Sequence, residues 1–400
     1  MYIKRDIEEV LKKLLKNFSA IAITGARQSG KSTLLINLLK NYKYVTLDDL
    51  QLREQALVDP IFFLDNIGEK VIIDEIQYAS QLLSYIKIRI DKNRLEKGLY
   101  VFTGSQQFNM MKNLGDSLAG RIGLIDLLPF SYKEKKRFIK IKNFLDIFVH
   151  ACLVGSYPEI AIDSSFDVSN WYNAYVQTYL ERDIRSLYNI GSLNDFQKFI
   201  QLLAARCSQI LNLSEISRNL GISVPTIKKW ISILESSKII YCLQPYYNNF
   251  GKRITKAPKV YFMDVGLVCY LTGIKSKDHL LKGPLAGALF ENYCIQETLK
   301  VFYNNGKQPN IYYLRTNNGL EVDILIEKSY MNIMPVEIKL SKTPKIAMAS
   351  NIEQLKKLFS KINFSTGKIL SIVDKTTFIK KDLQFSSIKD YLQCLNDFIL

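Results

Sequence analysis

The sequence predicts an α/β protein in four parts: a parallel sheet covered by helices, a helical linker or lid, a helix-turn-helix with a wing, and a second α/β unit. Three observations carry this. Short apolar runs alternate with helical periodicity over the first 130 residues, the pattern of strands and crossover helices in a parallel sheet. A glycine-rich loop, Gly25-Ala26-Arg27-Gln28-Ser29-Gly30-Lys31-Ser32, sits at the first strand-to-helix junction. Near the C-terminus two apolar strands carry acids, in Glu321-Val322-Asp323 and Glu337-Ile338-Lys339.

The bulk properties narrow the class. A chain of 400 residues suits two to four domains. With 48% hydrophobic and 23% charged residues each part can bury a core, which excludes a disordered protein. Cys152, Cys207, Cys242, Cys269, Cys294 and Cys394 are scattered, and His150 and His279 are the two histidines. That argues against a zinc site and for buried thiols in a reducing, cytoplasmic setting. Met1 to Asp6 reads as the start of an amphipathic helix and not as a signal peptide. No apolar run reaches spanning length, since Val260 to Ile274 is short and carries Asp264, so no membrane partner is expected. The net charge of +16 fits a polyanionic partner such as DNA, and fits equally a lysine-rich compositional bias.

Expected strands in the first part are Ala20–Thr24, Tyr44–Leu47, Lys70–Asp74, Leu99–Thr103 and Ile122–Leu127, with helices at Lys31–Leu39 and Gln81–Ile90 between them. The spacing Gly25-x-x-x-x-Gly30-Lys31-Ser32 is a complete Walker A pattern in its proper place, after an apolar strand and before a helix. Backbone N–H groups of such a loop and the helix N-terminus bind phosphates. Lys31 reaches the β and γ phosphates of ATP, Ser32 binds Mg2+, and Thr33 completes the contact set. Val71-Ile72-Ile73-Asp74-Glu75 reads as a Walker B strand. Asp74 then holds the Mg2+ shell, and Glu75 is the general base on the attacking water. After Leu99–Thr103, Ser105 is the first choice and Thr103 the second for a side chain that senses the γ-phosphate, against a plain polar turn. Arg121 stands before the last strand with two readings. It is an arginine finger on a neighbour's nucleotide in a homo-oligomer, or a structural arginine that caps a helix or pairs with Asp126.

A basic cluster, Lys133 to Lys142, follows Pro129 and opens a helical lid that runs from Phe144 to Ala205, broken at Gly155-Ser156-Tyr157-Pro158. Leu213–Ser223 then reads as a helix with a turn at Gly221 and Pro225–Glu235 as a second helix, with Ser223 as N-cap and Lys238–Leu243 as the first wing strand. Residues 201–260 carry nine Lys or Arg and only Glu215 and Glu235 as acids. Arg218, Lys228, Lys229, Lys252, Arg253, Lys256 and Lys259 are candidates for DNA phosphate contacts. Winged helices also serve as protein-binding and lid modules, and that alternative stands beside the first.

In the last part a helix over Leu285–Phe302 leads into strands at Ile311–Arg315, Leu320–Glu327 and Met334–Leu340. An Asp followed by Glu-x-Lys on the next strand resembles the PD-(D/E)xK core of restriction-endonuclease-like folds. In that chemistry Asp323 and Glu337 bind a divalent ion, Lys339 assists a metal-bound water, and Glu291 on the preceding helix is a fourth member. Val322 stands where the usual proline would be. The plain alternative is charge alternating along the solvent face of a sheet.

Taken in order, these segments resemble one family, the prokaryotic AAA-type ATPases with a C-terminal winged helix and PD-(D/E)xK-like fold. The resemblance runs through Ile73-Asp74-Glu75-Ile76-Gln77, Thr103-Gly104-Ser105, Ser117-Leu118-Ala119-Gly120-Arg121, Tyr179-Leu180-Glu181-Arg182-Asp183, Tyr261-Phe262-Met263-Asp264-Val265-Gly266-Leu267 and Arg315-Thr316. It implies a AAA-type ATPase domain over 1–140, a helical lid over 141–195, a winged helix over 196–275 and a nuclease-like domain over 276–400. Two functions fit: an ATP-driven DNA-processing enzyme, or a nucleotide-gated switch that binds a protein partner through an inactive nuclease-like fold.

Overall fold

The computed structural model describes residues 2–104, 118–180, 193–246 and 256–400. Its first sheet contains β1 (Ala20–Thr24), β2 (Lys43–Thr46), β3 (Val71–Asp74), β4 (Tyr100–Thr103) and β5 (Ile122–Asp126), in the order β2-β3-β4-β1-β5. Every pairing is parallel, as the alternating pattern predicts. A strand covered on both faces sends successive side chains to opposite cores. Along β1, Ile21 and Ile23 pack with Leu34, Leu35 and Val101, while Ala20 and Ala22 pack with Phe63, Ile73 and Phe102. Helix α1 (Glu8–Asn17) precedes β1, and α2 (Lys31–Leu38), α3 (Leu50–Val58), α4 (Pro60–Ile67) and α5 (Leu82–Lys92) lie between the strands in sequence. Residues 2–5 are not helical, contrary to the expected amphipathic start. The chain instead runs inward there to bury Ile3 and Arg5.

After the sheet, a single helical turn at Tyr132–Lys135 carries a capping box between Ser131 and Glu134. The helical region resumes at α6 (Phe144–Leu153) and continues through short helices at Pro158–Ile162 and Val168–Ala174. Then come α7 (Leu193–Ala205), α8 (Leu213–Leu220) and α9 (Val224–Ser236). Gly221 ends α8 in the left-handed region at φ 69°, and the Ser223 side chain caps α9 as expected. An antiparallel hairpin follows, β6 (Ile240–Leu243) with β7 (Lys259–Phe262).

The last part begins with α10 (Val265–Leu271) and the long buried α11 (Ala286–Asn304). Strands β8 (Ile311–Arg315), β9 (Glu321–Ser329) and β10 (Asn332–Ile338) form an antiparallel meander. Beyond α12 (Ser350–Leu358), β11 (Asn363–Phe364) and β12 (Gly367–Leu370) pair parallel to β10. The hairpin strands β13 (Thr377–Lys380) and β14 (Leu383–Ser386) complete the sheet, and α13 (Ile388–Ile399) closes the chain. One large hydrophobic core, reaching as far as Ile399, joins α6, α7, α9, α10, α11 and α13 and takes in Ala26 and Leu128 from the first part. Phe148, for instance, meets Phe290 and Tyr293 of α11 at centroid distances of 5.3 and 5.6 Å.

The Gly155-Ser156-Tyr157-Pro158 turn is built into this core. Asp264 is buried and accepts hydrogen bonds from the Ser156 and Leu267 N–H groups at 2.7 and 3.0 Å and from the Tyr172 hydroxyl at 2.6 Å. The backbones at Gly155 and Gly266 press together here. A Cβ at Gly266 would lie 2.6 Å from Gly155 Cα and 2.4 Å from Tyr172 Oη. Gly266→Ala should therefore cost about 1–3 kcal/mol, the range for overpacking a filled core. The check is the thermal midpoint, and an unchanged midpoint would contradict this close approach.

Candidate functional site

The loop after β1 is shaped by positions that a side chain would spoil. Gly25 sits at φ 137°, and a Cβ there would come within 2.1 Å of the Leu127 carbonyl oxygen. Gln28 also takes a left-handed conformation, and Gly30 begins α2 at φ 93°. Lys31 is buried, and its ammonium donates to the Gly25 and Ala26 carbonyls at 3.1 and 3.0 Å. Of the other loop positions, Ala26 and Ser29 are buried, Arg27 is half-buried, and Gln28 and Thr33 are exposed. The buried Ser29 hydroxyl finds no partner among the described residues.

At the C-terminal end of β3, Asp74 collects donors from three strands or their edges. Ser32 Oγ donates to Oδ2 at 2.6 Å, and the Tyr44 hydroxyl donates to the same oxygen. Thr103 and the Glu75 N–H donate to Oδ1. The Ser32 and Asp74 oxygens lie side by side beneath the loop, the donor chemistry that a hard divalent cation takes. With an unpartnered hydroxyl in the loop and this oxygen pair, the residues present fit Mg2+ and a polyphosphate. Glu75 is left-handed at φ 56°, and the Gln77 amide donates to its carboxylate. The turn therefore points Glu75 away from the strand while an amide steadies it.

Long-range contacts add residues that the sequence reading missed. Arg5 is buried. It donates to the Ser29 carbonyl within the loop at 2.8 Å, to the Leu128 carbonyl, and to Glu134 Oε1 at 3.0 Å. Burial would raise the Glu134 carboxyl, but Arg5 and the Ser131 and Asp6 N–H groups outweigh it and hold the carboxyl low. Pro158 closes over the same place, within 3.6 Å of where a Cβ on Gly30 would be. Gln28, Gly30 and Thr33 share a cavity of about 430 Å³ with Pro158, Ile162 and Phe166.

Arg121 is not part of this chain's loop site. It precedes β5, at the opposite end of the parallel sheet, and grips Asp91 in a bidentate pair at 2.7 and 3.0 Å. The expected pairing with Asp126 is thus replaced. Asp126 instead accepts from Thr24 and pairs with Lys238 at 2.9 Å. Ser105, Ser117, Glu181-Arg182-Asp183, Lys252 and Arg253 lie outside the described residues.

On the two helices around Gly221, Arg218, Lys228 and Lys229 are exposed, as is Lys256 ahead of β7. Lys259 is a correction to the set of phosphate-contact candidates. It is buried and paired with Glu321 at 2.7 Å and Glu291 at 3.3 Å, so it faces the C-terminal sheet.

In that sheet the β9–β10 register sets Val336 opposite Ile324, which places Glu337 across from Asp323. Both are buried, and Lys339 lies 3.9 Å from Asp323 and 3.8 Å from Glu337. Burial, and then the charge of Asp323, push Glu337 up to about 9. Burial and Asp323 likewise push Glu291 up to about 7. The structure thus brings Asp323, Glu337 and Lys339 together, with Glu291 near Asp323 and held by Lys259 and the Tyr261 hydroxyl. Among the described residues no three His, Cys, Asp or Glu side chains form a group that could hold a metal ion. Nor, among them, is any helix long and apolar enough to cross a membrane.

Residues 17–136 match the family described as an AAA domain. Residues 145–278 and 286–391 match two domains of unknown function (DUF8612 and DUF4143). Similar proteins include an uncharacterized protein of Mycobacterium tuberculosis, 26% identical over 345 residues, which span 86% of this chain and 75% of the relative. Another, of Methanocaldococcus jannaschii, is 25% identical over 381 residues, 86% of this chain and 79% of its own. Among solved structures the chain is similar to the Walker-type ATPase of Pyrococcus abyssi, at 15% identity and a TM-score of 0.47, over 68% of this chain and 96% of that one. It is also similar to the RuvB Holliday junction branch migration motor of Thermotoga maritima, at 14% identity and a TM-score of 0.32, over 60% and 90%. The N-terminal part is a P-loop domain of the AAA type, by its family match, its parallel sheet and its loop.

The Arg5 clamp makes a separable prediction. Arg5→Ala should cost about 3–5 kcal/mol by stranding the buried Glu134 carboxylate, and should weaken nucleotide binding by freeing the Ser29 carbonyl. Arg5→Met with Glu134→Leu should recover much of the stability but not the nucleotide affinity. Chemical unfolding and nucleotide titration read the two effects apart, and a fully stable Arg5→Ala variant would remove the clamp.

Proposed function

We propose that this protein binds and hydrolyses Mg-ATP at residues 25–33, and that turnover is coupled to DNA contact through the helices around Gly221. The observation that carries the first half is the Ser32–Asp74 oxygen pair beneath the loop. In this reading the loop N–H groups and Lys31 hold the β and γ phosphates, and Ser32 and Asp74 hold Mg2+. The ion, when bound, neutralises charge on the phosphate oxygens. Glu75 accepts the proton of the attacking water, with Gln77 orienting its carboxylate. Thr103, fixed on Asp74, takes a positioning role. Arg121 keeps a structural role within one chain, and a finger role would require a second copy and release of Asp91.

The second half rests on geometry and charge. Two helices, a tight glycine turn and a following hairpin are elements that a winged helix uses, which supports this reading. Arg218, Lys228 and Lys229 stand exposed on it, suited to a phosphate backbone. At the end of α9, Lys238 reaches Asp126, which Thr24 holds one residue before Gly25. Lys238 also contacts Tyr303 of α11, at 3.2 Å to its hydroxyl. A displacement of α9 therefore bears directly on the strand that carries the phosphate loop.

Lys31→Ala should abolish nucleotide binding. Glu75→Gln should keep binding and lower turnover by roughly a hundred- to ten-thousand-fold, the share of a general base. Near-normal hydrolysis by Glu75→Gln would end its assignment as base. DNA binding should fall steeply with salt, and charge reversal at Lys228 and Lys229 should weaken it more than reversal at Lys12 and Lys13. The deciding measurement is the ATPase rate with and without DNA. A rate indifferent to DNA, with no DNA binding at low salt, would favour a switch that engages a protein partner.

A further inference from the structure

The acidic cluster of the C-terminal sheet has the residue types of a metal site, and each of its three carboxylates already has a partner in the chain. Asp323 Oδ2 accepts the Ile338 N–H at 2.7 Å. Glu337 accepts the Asn351 amide at 2.6 Å and the Asp323 N–H at 3.4 Å. Glu291 Oε1 accepts the Tyr261 hydroxyl at 2.6 Å.

The cluster also contains cations supplied by the chain. Lys259 enters from β7, is 4% exposed, and places its ammonium 2.7 Å from Glu321 and 3.3 Å from Glu291. The Tyr313 ring lies on another side, with its centroid 5.6 Å from Nζ. Lys339 stands near Asp323 and Glu337, and Arg315 is 3.7 Å from the outer oxygen of Glu321. Carboxylates held this close repel one another unless a cation or proton joins them. Here Lys259, from a different structural unit, joins Glu291 and Glu321, while Lys339 stands by Asp323 and Glu337, and the burial of Lys259 leaves it no route to act on solvent or nucleic acid.

We propose that Lys259 is the resident cation of this cluster, so that the site takes no divalent metal ion and serves as an ionic joint between the β6–β7 hairpin and the C-terminal sheet. The residues present do not fit a metal-dependent nuclease centre. The Asp323, Glu337 and Lys339 group is then part of the joint and directs no phosphodiester cleavage. This inference stands apart from the ATP site, since none of its residues touches the phosphate loop.

The test uses Mn2+ on the full, nucleotide-free chain, read by electron paramagnetic resonance and by the thermal midpoint. The wild type should show neither a Mn2+ site nor a Mn2+-induced rise in midpoint that Asp323→Asn removes, any Mn2+ held by Ser32 and Asp74 being unaffected by that change. Lys259→Met should lower the midpoint and create a Mn2+ response that depends on Glu291 and Asp323. Lys259→Met with Glu321→Gln should recover stability and reduce that response, which keeps the test usable if the single variant fails to fold. A stoichiometric Mn2+ site in the wild type that Asp323→Asn abolishes would overturn the proposal. So would a Lys259→Met variant as stable as the wild type and without affinity for Mn2+.

Discussion

A single buried guanidinium fixes the phosphate loop to the rest of the molecule. Arg5 lies far from the loop in sequence, yet it binds a loop carbonyl, the Leu128 carbonyl beyond β5 and the carboxylate of Glu134 at once. Glu134 in turn accepts the N–H groups of Asp6 and Ser131. A guanidinium suits this role because its donors point outward in a rigid plane, so three partners can be met without strain. The charge is tolerable only because each member is satisfied, and removing one would leave the other uncompensated in an apolar setting. The loop's shape is thus set by a network that starts before the first helix and ends after the last strand of the sheet.

Two further joints carry that shape outward. Pro158 rests by Gly30, and its turn is held by Asp264 through Ser156. On the other side Asp126 ties Thr24 to Lys238 and so to Tyr303. The first joint starts at the helix cap that ends the loop and the second at strand ends of the first sheet, and each reaches an element beyond that sheet.

Local features of the sequence were readable; distant partnerships were not. The parallel sheet, the loop, Asp74 and Glu75 follow from spacing within a few residues, and strand limits agree to a residue or two. The helices around Gly221 follow from capping chemistry at Ser223 and from the glycine itself. Arg5, Tyr44 and Asp91 carry no local mark, since their roles come from partners 30 to more than 100 residues away. Lys259 misled for the same reason. In sequence it is one of a basic run, and only the strand pairing of β7 and the position of α11 turn it inward. The amphipathic reading of Met1 to Asp6 failed because a buried charge there binds across the fold instead of starting a helix.

The large core that joins helices from α6 to α13 has a consequence for how the molecule comes apart. Family matches divide this stretch near residue 280, but the hydrophobic contacts do not. Helix α11 is buried along nearly its whole length, with Phe290 and Tyr293 against α6 and Thr298 against Tyr391 of α13. A chain severed between α10 and α11 would leave both pieces with large apolar faces open to water. The boundary of inheritance and the boundary of cooperativity therefore differ, because the division near residue 280 passes through a core that also takes in Ala26 and Leu128 of the first part.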